Sequence, residues 1–393
     1  MSRFEKTILQ VVPRLDAGGA ERTTLEIAEA VVRAGGRAIV ATEGGRLETD
    51  IRNAGGEVVL APVGSKNPLT IWANAGLLAE LIRRENVDLV HARSRAPAWS
   101  AFAASRRTGA PFVTTYHGAY SSAGKLKRLY NSSMLRGDRV IANSRFTAES
   151  IMEIGGLEPA RLAVIPRGVD VKAFDPKKIS PARINRATAA WGLGENPGFK
   201  LLMPARISPW KGHETAIAAL AKLKDRLRGP DSTGQGAGLT LVFCGGAQGR
   251  ETLEKRLRAV SEEFGVRAMI HFVGDCADMP AAYAWADAVL SPSTEPEAFG
   301  RVAVEAGAME KPVIASRHGG ARETVIDRET GFLAAPGDAK ALAAAIEQVW
   351  LMPPSARRVM GEKARERAVS LFSSAAMCDA TLGVYRSLLA KRT

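Results

Sequence analysis

Short runs of aliphatic and β-branched residues alternate with amphipathic stretches along this chain, and that alternation limits the possible folds more than any other feature. The runs fall at residues 7–12, 37–42, 57–60, 88–91, 111–115, 139–142 and 162–165, and again at 200–203, 239–244, 269–273, 287–291, 312–315 and 331–334. Between them lie helix-period segments such as 22–34, 71–85, 97–107, 145–154, 214–228, 250–264, 301–309 and 339–350, and residues 355–392 read as helical nearly throughout. Apolar strands alternating with helices predict parallel sheets covered on both faces. The pattern breaks once, from Asp175-Pro176-Lys177-Lys178 to Asn196-Pro197-Gly198, and residues 229–238 read as a Gly-rich surface loop. At ~150 residues per domain, 393 residues fit two to three domains, and the single break favours two. The expected fold is therefore α/β, with two doubly wound Rossmann-like domains facing across a cleft: residues 1–175, a linker at 176–198, and residues 199–374 followed by a terminal helix at 375–393.

In doubly wound sheets, ligands sit beyond the carboxyl ends of the strands, so the loops there hold the candidate residues. The first loop, Asp16-Ala17-Gly18-Gly19-Ala20-Glu21, opens a helix. Two glycines permit a tight turn and close backbone approach, and a helix N-terminus favours an anion. The spacing excludes a dinucleotide fingerprint, which leaves Glu43 at the second strand's end without a ribose-binding context. A P-loop is excluded too, because five residues separate Gly118 from Gly124-Lys125 and Leu126 stands where Ser or Thr is required.

In the second half, Pro204-Ala205-Arg206-Ile207-Ser208-Pro209-Trp210-Lys211-Gly212 sets an Arg and a Lys between a strand end and a helix start, where a planar fork and a point charge can converge on a diphosphate. Glu295-Pro296-Glu297-Ala298-Phe299-Gly300-Arg301 leads into a helix carrying Glu305. A helix beginning near Phe299 would put Glu305 ~9 Å along the axis, about the reach of a diphosphate between a sugar and a ribose. Amides of Phe299, Gly300 and Arg301 would face that anion. His117 follows the strand at 111–115 and His91 ends the strand at 88–91; His91 is read as structural.

Composition narrows the classes. Apolar residues at 46% and charged residues at 24% are enough to build cores. No window approaches the ~18 apolar residues of a membrane span, and the start lacks the apolar region of a secretory signal. Cys244, Cys276 and Cys378 are too scattered for a metal or redox pair, and Cys244 reads as a small core residue. The formal charge is +13, and residues 91–145 hold ten bases against one acid, Asp138. Such segregation predicts a basic patch facing an anionic partner, with Arg93, Arg95, Lys125, Lys127 and Arg128 as candidates. Ala98-Trp99 and Tyr120 are candidates for interfacial contacts, with packing as the other reading. Nucleic acid is not expected, since no helix-turn-helix, RNP or zinc pattern accompanies the charge.

Taken together, Glu297 to Glu305 with an internal Phe-Gly, Arg206-x4-Lys211-Gly212, Gly18-Gly19, His117-Gly118 and Pro166-Arg167-Gly168-Val169-Asp170 resemble the retaining family 4 glycosyltransferases of the GT-B fold, over essentially the whole chain. Residues 91–97 and 115–118 look more narrowly like lipopolysaccharide-core glycosyltransferases of Gram-negative bacteria. The family usually has Asn where this chain has Arg167.

The resemblance implies that Arg206 and Lys211 neutralise a departing nucleoside diphosphate, that Glu305 binds ribose hydroxyls, and that Glu297 with the Phe299 and Gly300 amides binds the donor sugar. Gly18 and Gly19 would shape the wall near donor and acceptor, and His117 would lie beside the sugar's reacting face. The terminal helix would cross back to the first domain and act with the linker as a hinge. No Asp-x-Asp occurs, so no metal and no other cofactor is expected. The expected reaction moves a mannose- or glucose-type hexose to an anionic lipid-linked glycan at the cytoplasmic face of the inner membrane. Capsule or exopolysaccharide intermediates, phosphatidylinositol or a small sugar are the alternative acceptors. A catalytically silent nucleotide-sugar-binding protein is the alternative from another class.

Overall fold

The computed structural model describes residues 4–16, 18–118, 124–193, 198–227 and 238–392. Apart from Gly238, the Gly-rich loop lies outside the described residues, as does Tyr120. The chain divides into two compact units, residues 1–168 with 374–393, and residues 169–373.

In the first unit the strands are β1 (Thr7–Val11), β2 (Arg37–Thr42), β3 (Glu57–Leu60), β4 (Leu89–Ala92), β5 (Phe112–Tyr116), β6 (Arg139–Ala142) and β7 (Leu162–Val164). They pair in the order β3-β2-β1-β4-β5-β6-β7, all parallel. Strand side chains alternate between two cores, as the pleat requires. Leu9, Val11, Ile39, Val90, Phe112 and Val140 pack on one face, and Ile8, Ala38, Val40, Leu89, Val113 and Ile141 on the other. Both faces are apolar because helices cover both, as sequence alternation implies for a parallel sheet. The helix Ser374–Leu389 completes the second of these cores with Met377, Cys378, Leu382 and Tyr385. Buried His91 bridges Tyr385 Oη at 2.6 Å and Thr115 Oγ1 at 2.7 Å, so both ring nitrogens have partners.

The second unit holds β8 (Phe199–Pro204), β9 (Leu239–Cys244), β10 (Ile270–Gly274), β11 (Ala288–Ser291), β12 (Val313–Ser316) and β13 (Gly331–Ala334), in the order β10-β9-β8-β11-β12-β13. Its faces alternate in the same way: Leu201, Met203, Leu241, Phe243 and Ile314 lie in one core, Leu202, Val242, Cys244, Val289 and Val313 in the other. Strand order reverses between β1 and β4 in the first sheet and between β8 and β11 in the second. These switch points are where a doubly wound sheet opens a crevice at its carboxyl edge.

The stretch expected as a linker is folded in its described residues. Pro181–Thr188 is a helix whose cap, Ser180 Oγ, accepts from Arg183 N. Arg183 grips Asp278 with two hydrogen bonds of 2.7 and 2.9 Å, and Trp191 meets Trp285 edge-on at 5.3 Å. The prolines that look like breaks include Pro181 in the first turn, where a missing N–H costs nothing and φ is already helical. Among the described residues no helix is long and apolar enough to cross a membrane.

Candidate active site

The second unit's switch point brings together the loops after β8 and β11. Lys211 lies on the short 3₁₀ turn Pro209–Lys211, and its Nζ stands 2.8 Å from Glu297 Oε1. Ser293 Oγ donates to the same oxygen. Glu297 Oε2 makes no hydrogen bond among the described residues and stays available as an acceptor. Lys211 Nζ also sits 4.3 Å from the Trp210 ring centroid, a cation–π placement that fixes the ammonium without using up its donors. Loop-to-loop bonds hold this geometry, with Thr294 N donating to Trp210 O at 2.7 Å. Gly212 makes the close approach possible: φ is +84°, and a Cβ there would fall 1.9 Å from Pro292 O. Arg206, in the loop after β8, is exposed and makes no hydrogen bond or ion pair among the described residues.

The helix bearing Glu305 begins at Arg301, where the helix-period segment 301–309 does and two residues after the Phe299 start used to span a diphosphate, because Gly300 is left-handed (φ +83°) and cannot be part of it. Glu305 is then four residues in, ~6 Å along the axis instead of ~9 Å. Its carboxylate is buried and held at both oxygens, by Tyr283 Oη at 2.8 Å and Arg301 Nη2 at 2.7 Å. Burial, and then the neighbouring carboxylate, push the Tyr283 phenol well above its ordinary range, so it stays a donor. The Phe299 side chain is a core residue, packed edge-on against Phe372 at 5.6 Å; only its backbone can serve a ligand.

A third loop, after β12, closes over this one. Gly320 N donates to Glu297 O at 2.8 Å, and Cβ atoms at Gly319 and Gly320 would fall 2.4 Å from Glu297 O and from Phe299 Cα. Ser291, Ser293, Glu297, Gly300, Ser316 and His318 line a small cavity, and the imidazole nitrogens of His318 are buried without a protein partner among the described residues. Sequence reasoning missed this loop, although His318-Gly319-Gly320 follows a strand end as the other site loops do. Ser293, Tyr283 and Trp210 carried no signal of their own.

The first unit's switch point is lined by Gly18, Gly19, Arg93, His117 and Arg167. Gly18 and Gly19 leave room first for the protein's own side chains. A Cβ at Gly18 would lie 2.2 Å from a Glu21 carboxylate oxygen, and one at Gly19 would lie 2.2 Å from Arg167 Nη1. Arg167 Nη2 donates to His117 Nδ1 at 2.7 Å, and His117 Nε2 is buried without a partner among the described residues. Burial, reinforced by Arg167, Arg93 and His91, holds the His117 pKa well below the ordinary imidazole range.

Of the bases in residues 91–145, Arg106, Arg107, Lys127, Arg128, Arg136 and Arg145 are exposed, and Arg93 is not. Arg93 is fully buried, with Nε on Gln10 Oε1 at 2.8 Å, and does not belong to an exposed patch. Arg95 bonds Asn131 Oδ1 at 3.0 Å and faces the Tyr130 ring; Arg106 pairs with Asp138 at 3.0 Å. Arg136 stacks on Trp99 and Phe102, which gives Trp99 a packing role. Lys127 and Arg128 are exposed on the helix Lys125–Asn131, and the Lys125 side chain lies outside the described residues. Phe102, Arg106, Arg128, Leu129, Arg136 and Arg161 line a groove of about 800 Å³. A sequence count registers each positive charge but not the burial that takes Arg93 out of the surface or the ion pair that offsets Arg106.

Known proteins bear on this geometry. Residues 188–367 match the family described as glycosyl transferases group 1, and residues 17–173 that described as glycosyltransferase family 4. The chain is 30% identical over 347 residues to a D-inositol 3-phosphate glycosyltransferase of Acidothermus cellulolyticus, covering 82% of this chain and 72% of the relative. Among solved structures, a glycosyltransferase from Rickettsia africae is 35% identical with a TM-score of 0.89, covering 99% of this chain and all of that one. Anabaena HepE in complex with UDP and glucose is 26% identical with a TM-score of 0.80, covering 97% of this chain and 99% of that one. The chain therefore belongs to the group 1 and family 4 glycosyltransferases, and its two parallel-sheet units are of the GT-B type.

Proposed function

We propose that this glycosyltransferase moves a mannose- or glucose-type hexose, with retention and without a metal ion, from a nucleoside-diphosphate sugar to an anionic, lipid-linked glycan of the lipopolysaccharide-core kind. The observation that carries the donor half is the Lys211–Glu297 pair, with Arg206 on the same loop as Lys211 making no hydrogen bond or ion pair among the described residues. Lys211 and Arg206 would meet the diphosphate, whose negative charge grows as the sugar leaves. Glu297 Oε2 would accept a hydroxyl of the sugar, and Glu305, held by Tyr283 and Arg301, would accept the ribose hydroxyls. UDP and glucose in the related HepE complex support a nucleotide-sugar donor.

Retention would follow from front-face substitution. The bond from the anomeric carbon to the phosphate oxygen breaks, and the acceptor oxygen bonds that carbon on the same face. The departing phosphate oxygen takes the acceptor's proton. Lys127, Arg128 and exposed Leu129 support peripheral contact with an anionic membrane face, at about 1 kcal/mol per basic residue near the surface. A second acceptor class, phosphorylated inositol, is favoured by the 30% identical relative named for D-inositol 3-phosphate.

The deciding experiment is calorimetric titration of UDP-, GDP- and ADP-sugars with EDTA present. It is followed by NMR of the product's anomeric coupling with a core oligosaccharide or inositol 3-phosphate as acceptor. Chelator-resistant binding of one nucleotide family and an α-to-α product are expected. An inverted product, or binding only with added metal, would overturn the mechanism.

A further inference from the structure

Arg167 stands where the resembled family has Asn, and nothing in the reaction so far uses it. Three loops at the carboxyl edge of the first sheet meet around its guanidinium. Nη1 occupies the space beside Gly19 where a side chain would have to be, 2.2 Å from the position of a Cβ. Nη2 lies 2.7 Å from His117 Nδ1. A guanidinium is always protonated and only donates, so Nδ1 must accept. The proton of the neutral ring then sits on Nε2, the buried atom that has no partner among the described residues.

We infer that Arg167 is the positioning residue of this site: from the gap left by Gly19 it fixes His117 as the neutral Nε2–H form, so that His117 serves a bound ligand only as a hydrogen-bond donor to an oxygen. The ring is thereby removed as a candidate base at Nε2, and the acceptor proton must go elsewhere. The ligand atom it selects is an oxygen with a free lone pair, as on a sugar hydroxyl or a phosphoester. Among the described residues the charged and titratable groups that act on the ring are Arg167, Arg93 on the loop after β4 and His91 on β4, while Glu21 lies beside Gly18. The three named as shifting its pKa all oppose protonation.

The activity consequence rests on the transferase reading, whereas the tautomer does not, so the test has two arms. In the full-length protein labelled with ¹⁵N-histidine, and with His117 assigned by its loss in His117→Gln, Nε2 should carry the proton and Nδ1 should not from pH 8 to pH 5. Arg167→Met should release the tautomer and raise the protonation midpoint by about one unit, and Arg167→Lys, which can still donate, should restore the wild-type form. Gly19→Ala is the second route. Its methyl meets only the far end of a flexible side chain, so the fold should survive while the guanidinium is displaced and His117 shifts as in Arg167→Met. In the activity arm, Arg167→Met and Gly19→Ala should lower kcat about 10- to 100-fold, with little change in the KM for the nucleotide sugar. A proton on Nδ1, a wild-type midpoint near 6.5, or no response to either variant would overturn the inference. Absence of any nucleotide-sugar turnover with the tautomer as stated would overturn the transferase reading alone.

Discussion

Lys211 Nζ lies 2.8 Å from Glu297 Oε1, with only 14% and 16% of the two side chains exposed. Two residues 86 apart in sequence are joined there because Gly212 lets one loop press against the other. Breaking a largely buried pair leaves the survivor's charge uncompensated. Lys211→Met and Glu297→Ala should therefore each destabilise by about 1–3 kcal/mol, and Glu297→Ala should in addition lower turnover by about 100-fold. Steady-state kinetics beside chemical denaturation of both variants checks both effects. A Glu297→Ala enzyme with full kcat would refute the sugar-binding role.

Glu305 predicts a different signature. Hydrogen bonds to a charged group contribute about 1.5–3 kcal/mol each, so Glu305→Ala should weaken donor binding by roughly 10- to 100-fold and move kcat less. Tyr283→Phe, which removes one of the two groups holding the carboxylate, should weaken donor binding in the same direction by a smaller factor. If Glu297→Ala and Glu305→Ala both behaved like wild type, the site assignment would fail.

Arg206 is exposed and unpaired among the described residues, so Arg206→Ala should leave stability within about 0.5 kcal/mol. Its effect should appear in affinity for the nucleoside diphosphate, with a shallower salt dependence than wild type because one screened charge pair is gone. Calorimetry at two ionic strengths measures both. Equal affinity and equal salt dependence would remove Arg206 from the diphosphate site.

Acid sensitivity should originate partly in His213. Its ring is buried edge-on against Phe243 at 4.9 Å, and burial pushes its pKa down to about 4. In the unfolded chain the same group binds a proton near 6.5. As pH falls through 6.5 the unfolded state gains a proton the folded state does not take up, so stability declines from about pH 6.5 to pH 4, by roughly 3 kcal/mol in all. His91 and His117 shift in the same direction. His213→Phe should flatten the fall measured by urea unfolding between pH 7 and pH 5, and an unchanged slope would exclude this source.

Strand positions were readable because each carries β-branched or aliphatic residues between turn signals, and β2, β3, β6, β9 and β13 begin and end at the residues the pattern marks. The site loops were readable for a related reason: a parallel sheet presents its carboxyl ends together, so Arg206, Lys211 and Glu297 could be picked out as loop residues before any geometry was known. What sequence did not show is what depends on partners far along the chain. The pattern marks a helix from residue 301, but the left-handed φ of Gly300 that rules out a start at Phe299, and so shortens the reach to Glu305, is not visible in the spacing. Arg93 counts as surface charge until Gln10, 83 residues earlier, is found holding it in the core. The Arg167–His117 bond spans 50 residues and three loops.

The helix Ser374–Leu389 has a consequence for how the protein is made. The second unit is complete at residue 373, but the first lacks Met377, Leu382 and Tyr385 until the final segment is synthesised. At about 5–20 residues per second, the first half of the chain waits on the ribosome with an apolar face open and His91 Nδ1 without its phenol. The unit begun first is thus finished last. A nascent chain stalled before residue 374 should bind chaperone through its older half, while its younger half already resists protease.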